Sequence, residues 1–236
     1  IFSEEPDITN PSNPVMPEVL SGHVEFRNVN FRIGDSCILN NLSINAEKGS
    51  TIAVMGVTGS GKSSLINLIG RYYDCTSGEV CIDGVNVKNM RLDILRKNVA
   101  VVMQDVFLFS DTIEENIRFG LDITSKDPAF ICAVKDSMVD EFVCQMSEGY
   151  NTVIGERGIG LSGGQKQRIS IARALVRDAK VLILDDSTSA LDMETEYHIQ
   201  KALNKRTDIT RFIIAHRISA VKNADEILYF DNGSIV

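Results

Sequence analysis

The chain has 236 residues, 44% of them hydrophobic, which is enough for one large domain or one domain carrying a subdomain. No apolar run is long enough to cross a bilayer and no secretory leader pattern is present, while a formal net charge of −8 excludes the broad basic footprint of a nucleic-acid binder. The five cysteines (Cys37, Cys75, Cys81, Cys132 and Cys144) form no Cys-x-x-Cys pair, so they are expected to be reduced and mostly buried thiols.

Residues 1–18 hold four of the five prolines (Pro6, Pro11, Pro14 and Pro17) and cannot form a helix or a central strand. Residues 1–20 are therefore read as an extended linker from something upstream. The first residue is Ile1 and the last, Val236, falls in a strand-like run, so the chain reads as a piece of a longer polypeptide. Strand patterns begin at 24–26, 29–31 and 42–44, and a short apolar run follows at 51–55.

Residues 56–64 read Gly-Val-Thr-Gly-Ser-Gly-Lys-Ser-Ser and meet the pattern G-x-x-x-x-G-K-[ST]. Glycines let the backbone curl so that several N–H groups aim at one anion, where a Cβ would clash. The lysine ammonium neutralises terminal phosphates, and the serine hydroxyl ligates Mg²⁺. A strand pattern before the loop and a helix pattern at 64–70 after it complete a phosphate site at a helix N-terminus. Gly56, Thr58, Gly59, Ser60, Gly61, Lys62, Ser63 and Ser64 are thus predicted to cradle a nucleoside triphosphate.

Further along, strands are expected at 80–82 and 99–103, and helices at 112–119 and 127–146. In the second of these helices Phe130, Val134, Met138 and Phe142 recur every four residues, as one core face would. Residues 162–176 form a third helix pattern, with Ser162 as its N-cap and Ile169, Ala172 and Leu175 facing inward. The continuous apolar runs 181–184 and 211–215 suit a parallel sheet buried on both faces. The fold class is α/β, with a nucleotide-binding core (21–104 and 162–236) interrupted by a mostly helical insertion at about 105–161.

Asp185 ends the 181–184 run, where parallel sheets place ligands, and is read as a Mg²⁺-side carboxylate. Leu161-Ser162-Gly163-Gly164-Gln165 sets a hydroxyl and two side-chain-free amides at a helix N-terminus, a second anion site. Two separated anion sites in one chain imply that they meet across a dimer.

In these motifs the chain resembles the nucleotide-binding domain of an ABC transporter from about Val24 to Val236. The order is the family's: Walker A, Met103-Gln104, Leu-Ser-Gly-Gly-Gln, Walker B, Ser189-Ala-Leu-Asp192 and Ala215-His216-Arg217. The resemblance implies a P-loop ATPase core, with a RecA-like parallel sheet, an antiparallel β subdomain and an inserted helical subdomain, using ATP and Mg²⁺. It implies that Gln104 touches Mg²⁺ and signals to the membrane domain. Ser162, Gly163, Gly164 and Gln165 would face the γ-phosphate of ATP bound to a partner, Asp192 would lie in the dimer-spanning D-loop, and His216 would hold the γ-phosphate. Thr152-Val-Ile-Gly155-Glu156-Arg157-Gly158 resembles the X-loop of the exporters within the family. A fused membrane domain and a place on the cytoplasmic side of a membrane follow from that likeness.

Two positions depart from the family pattern. Asp186 stands where the family has the glutamate that acts as catalytic base, and Ile33 stands where it has the tyrosine that stacks on adenine. The reading that follows is a domain supplying the Walker half of a slow site in a heterodimeric exporter. An active homodimeric exporter ATPase and a soluble, non-transport ABC ATPase are the alternatives.

Overall fold

The computed structural model describes residues 6–17, 19–215 and 217–236. In chain order the elements are β1 (Val24–Ile33), β2 (Ser36–Ala46), β3 (Thr51–Gly56), α1 (Lys62–Ile69), β4 (Ser77–Ile82), β5 (Val85–Asn86), α2 (Leu92–Asn98), β6 (Val99–Val102), α3 (Ile113–Ile117), α4 (Pro128–Asp136), α5 (Val139–Val143), α6 (Gly163–Leu175), β7 (Val181–Asp185), α7 (Met193–Leu203), β8 (Thr210–Ile214), α8 (Ile218–Val221), β9 (Glu226–Asp231) and β10 (Ser234–Ile235).

The strands form two sheets. One has six strands in the order β10-β9-β3-β8-β7-β6, parallel throughout except for the β10–β9 hairpin. The other has four in the order β2-β1-β4-β5, all antiparallel. The alternation of side chains along a strand decides where the cores lie. In β7, Val181 and Ile183 join a core shared with β1, β2 and α1, whereas Leu182 and Leu184 join a second core shared with α3 to α7. A strand covered on both faces has no polar position until its end, and β7 becomes polar only at Asp185.

The expected strands at 24–26 and 29–31 are one strand, β1, continued through irregular pairing with β2 and a left-handed residue, Asn28 (φ 49°). The expected helix over 127–146 is two. Ser137 Oγ donates 2.7 Å to Ala133 O, and Met138 takes a left-handed conformation (φ 59°), so α4 stops and α5 starts afresh. Phe130, Val134 and Phe142 are still buried, but Met138 is only partly so.

Cysteine burial also differs from the expectation. Cys75 and Cys81 are buried, whereas Cys37, Cys132 and Cys144 are exposed because they fall on β2 near its start, on the outer face of α4 and at the end of α5. Of the proline-rich segment, the described residues 6–17 make contacts with the domain. Val15 N donates to Asn89 O, Asn10 Oδ1 accepts from Leu92 N at the start of α2, and Leu20 is buried.

Candidate nucleotide site

β3 and β7 both end at the carboxyl edge of the six-stranded sheet, with β8 between them, and that edge is where a parallel sheet opens a crevice. β3 ends on Gly56, whose φ of +141° and close approach to Phe230 O, 2.2 Å from where a Cβ would stand, admit only glycine. The loop then curls back so that Gly61 (φ +104°) precedes α1 under Leu39, again with no room for a Cβ. No side chain caps α1, so its first N–H groups are left to the crevice.

A cavity of about 220 Å³ opens there. It is lined by Thr58, Gly59, Gly61, Lys62, Ser63 and Ser64 from the loop, by Gln104 beyond β6, and by Asp185 and Asp186 at the end of β7. Three separate stretches of chain thus deliver a cation, hydroxyls, an amide and two carboxylates to one opening.

Lys62 is 7% exposed, and its Nζ donates to Gly56 O (2.8 Å) and Val57 O (2.7 Å), so the ammonium is held inside the loop. Burial pushes its pKa below the usual lysine value, and the Asp185 carboxylate opposes that shift. A bound polyphosphate would add negative charge on the same side as Asp185 and favour the charged lysine further.

The loop and the helix start fit a phosphate chain, because they present backbone donors, a cation and glycines wherever a side chain would fill the cradle. Ser63, Gln104 and Asp185 fit Mg²⁺, a hard ion that takes few protein oxygens and fills its octahedron with phosphate and water. No cluster of three or more His, Cys, Asp or Glu is placed to hold a metal among the described residues.

Asp186 has a left-handed backbone (φ 44°), and its N–H donates to Ile214 O at 2.9 Å. Ser60 belongs to the loop but not to the cavity wall. Its side chain is buried and its carbonyl accepts from Gly233 N, so it pins the loop to the β9–β10 turn. Two lining residues, Ile38 and Ile214, have no sequence signal. They arrive by tertiary register alone, Ile38 from β2 and Ile214 from the end of β8.

The other candidate residues lie away from this cavity. Ile33 is 57% exposed at the end of β1. Phe31 is buried and packs on Tyr73 (ring centroids 5.7 Å apart), so its ring is not offered to a base. Ser162 caps α6 in a full capping box, with Gln165 N donating to Ser162 Oγ (3.2 Å) and Ser162 N donating to Gln165 Oε1 (2.9 Å). Gly163 and Gly164 form the first turn and lie against Ala190, to whose carbonyl a Cβ on Gly164 would come within 3.1 Å. Asp192 caps α7, with Oδ1 accepting from Thr195 N and Oδ2 from Thr195 Oγ1, and these bonds lower its pKa. His216 lies outside the described residues.

A second cavity, of about 360 Å³, lies beside Gln104 between α2, β6 and α6. Phe107, an exposed member of its wall, meets Phe109 edge-on at 5.2 Å, and Phe109 stacks on Phe119 at 4.4 Å. Residues 152–154 pair with 111–113 beside these rings: Ile113 N donates to Thr152 O and Ile154 N to Asp111 O, while Val153 stays exposed.

Comparison with known proteins agrees in kind. The pattern of the ABC transporter family matches residues 39–189. An ATP-dependent lipid A-core flippase of Pasteurella multocida is 48% identical over 92% of this chain and 38% of its own length. A putative multidrug export ATP-binding/permease protein of Bacillus subtilis is 45% identical over 97% of the chain and 40% of its own length. The solved structure of a bacterial Atm1-family ABC exporter with ATP bound superposes with a TM-score of 0.92 at 36% identity, covering 98% of this chain and 41% of that one. The chain therefore spans about two fifths of the length of the relatives it matches.

Proposed function

The chain belongs to the ABC transporter family, and we propose that it is the ATP-binding, ATP-hydrolysing part of a membrane exporter, one half of a composite site that closes on a second such domain. The observation that carries this reading is the 220 Å³ cavity, in which Lys62, Ser63, Gln104, Asp185 and Asp186 converge on one uncapped helix N-terminus. Mg-ATP, when bound, supplies the phosphoanhydride and the cation that neutralises charge on it. Around it Lys62 holds the terminal phosphates, Ser63, Gln104 and Asp185 hold the ion, and Asp186 takes the proton of the attacking water.

The α6 start at Ser162, Gly163, Gly164 and Gln165 does not line that cavity, so within one chain it has no nucleotide to contact. A second domain would bring its own phosphate loop to Ser162, with Asp192 at the seam and His216 on the γ-phosphate. Asp186 in the glutamate position supports a slow site within a heterodimer. The complete Leu-Ser-Gly-Gly-Gln supports full competence of the site this chain would form with its partner's loop, and it keeps an active homodimer as the second reading.

No helix among the described residues is long and apolar enough to cross a membrane. A membrane-spanning part, in keeping with the word permease in the name of a longer relative, would rest on the 360 Å³ cavity and its rim of Phe107, Phe109 and Phe119. On this reading the domain sits on the cytoplasmic side of the membrane. Calorimetric titration with Mg-ATP tests the assignment: Lys62→Ala should abolish measurable affinity, and unchanged affinity would overturn it.

A further inference from the structure

We propose that Gln167 is a positioning residue for Asp186, locking the turn over residues 186–190 to the first turns of α6 and thereby fixing where the Asp186 carboxylate points. The proposal rests on the reading of Asp186 as the base. Gln167 lies five residues beyond the cap Ser162 and is 4% exposed. Both ends of its amide are committed to the turn. Nε2 donates to Ser189 Oγ at 3.3 Å, and Oε1 accepts from Ala190 N at 3.0 Å. Ser189 Oγ in turn donates to Asp186 O at 2.9 Å, and Ser189 N donates to the same carbonyl at 3.3 Å.

One hydroxyl therefore separates a buried side chain of α6 from the backbone of Asp186. The N–H of Asp186 is held by Ile214 O, so both of its backbone hydrogen-bonding groups are fixed and its left-handed φ is set from two sides. On the far side of the turn, Arg217 Nη2 donates to Ser189 O (3.0 Å) and Thr188 Oγ1 donates to Glu196 Oε1 (2.9 Å). Those contacts grip the turn without reaching Asp186. Gly164 favours the close junction, since a Cβ there would come within 3.1 Å of Ala190 O.

A buried amide whose donor and acceptor are both used is costly to remove, because the groups it served are left unsatisfied. With Gln167 gone, Ser189 Oγ loses the donor that orients it, and the Asp186 peptide can rotate. A base displaced by about 1 Å loses roughly 10²-fold in rate. Ground-state nucleotide binding should not change, since the 56–64 loop makes none of these contacts.

The test is a turnover cycle on the chain, read by radiolabelled ATP hydrolysis over hours, with Mg-ATP affinity and melting midpoint measured on the same samples. Asp186→Asn checks the base reading and should reduce turnover by about 10²-fold or more. Gln167→Ala and Ser189→Ala should each lower turnover by about 10-fold to 100-fold, with affinity within about twofold of the parent. The double variant should fall no further than the worse single one, as residues acting through one bond do. If Gln167→Ala fails to fold, Gln167→Glu serves: it keeps the size and the acceptor for Ala190 N, loses the donor to Ser189, and should show the same drop. Unchanged turnover in the Gln167 variant, a drop matched by loss of affinity, or additive effects in the double variant would overturn the positioning role. Unchanged turnover in Asp186→Asn would overturn the base reading and this inference with it.

Discussion

Asp186 is the residue at which shape and rate pull apart. Its left-handed backbone suits aspartate, which tolerates that region better than most residues. Glutamate would be strained there by roughly 1 kcal/mol, yet its extra methylene would advance the carboxylate by about one C–C bond, ~1.5 Å. Reach should win for rate and strain for stability. Asp186→Glu is expected to raise steady-state phosphate release by about 10-fold to 100-fold, with Mg-ATP affinity unchanged and a lower melting midpoint. Rapid hydrolysis by the unaltered chain would contradict the slow-site reading. Ile33 sets the second departure. It is exposed, and the only nearby ring in β1, Phe31, is buried against Tyr73. Base–aromatic stacking is worth roughly 1–3 kcal/mol, so Ile33→Tyr should tighten ATP binding more than it tightens tripolyphosphate binding. Equal gains for the two ligands would mean that the base does not rest on residue 33.

Elements built from contiguous signals were legible in the sequence. The α6 start was, because a capping residue, two glycines and an apolar repeat sit side by side, and Ile169, Ala172 and Leu175 are buried as their spacing predicts. The break between α4 and α5 was not, because the four-residue repeat runs on through Met138 and hides a stop made by a single serine hydroxyl. Gln167 and Ile38 were missed for a related reason: what they touch lies far away in sequence and no local pattern marks it. The entry to β1 shows how such distant contacts act. Asp83 is partly buried, which alone would raise its pKa, but bonds from the Ser21 hydroxyl and from the N–H groups of Ser21, Gly22 and His23 outweigh burial and lower it. A carboxylate with a depressed folded pKa stabilises the fold above its unfolded value, about 3.9, and loses that contribution as pH falls through the folded one. Asp83→Asn, which keeps the left-handed backbone acceptable, should cost about 1–3 kcal/mol at neutral pH. Denaturant midpoints of the two proteins should converge as the pH falls toward the acid limit. A constant difference at every pH would assign the loss to packing instead.

The whole molecule is organised around a division. Lys62, Ser63, Gln104, Asp185 and Asp186 meet in one cavity, and the capped α6 start lies outside it. In the capping box the Ser162 hydroxyl oxygen accepts from Gln165 N, and its hydrogen has no acceptor among the described residues. That hydrogen, with the N–H groups of the first turn, is what a second nucleotide would meet. The central claim is that nucleotide binding is completed by a second domain, and light scattering of the chain as Mg-ATP is added tests it most directly. Monomers are expected without nucleotide, with a shift to dimers at saturating Mg-ATP that is stronger than with Mg-ADP and absent in Lys62→Ala. A stable dimer without nucleotide, or a monomer that binds Mg-ATP to saturation and stays monomeric at high protein concentration, would contradict it.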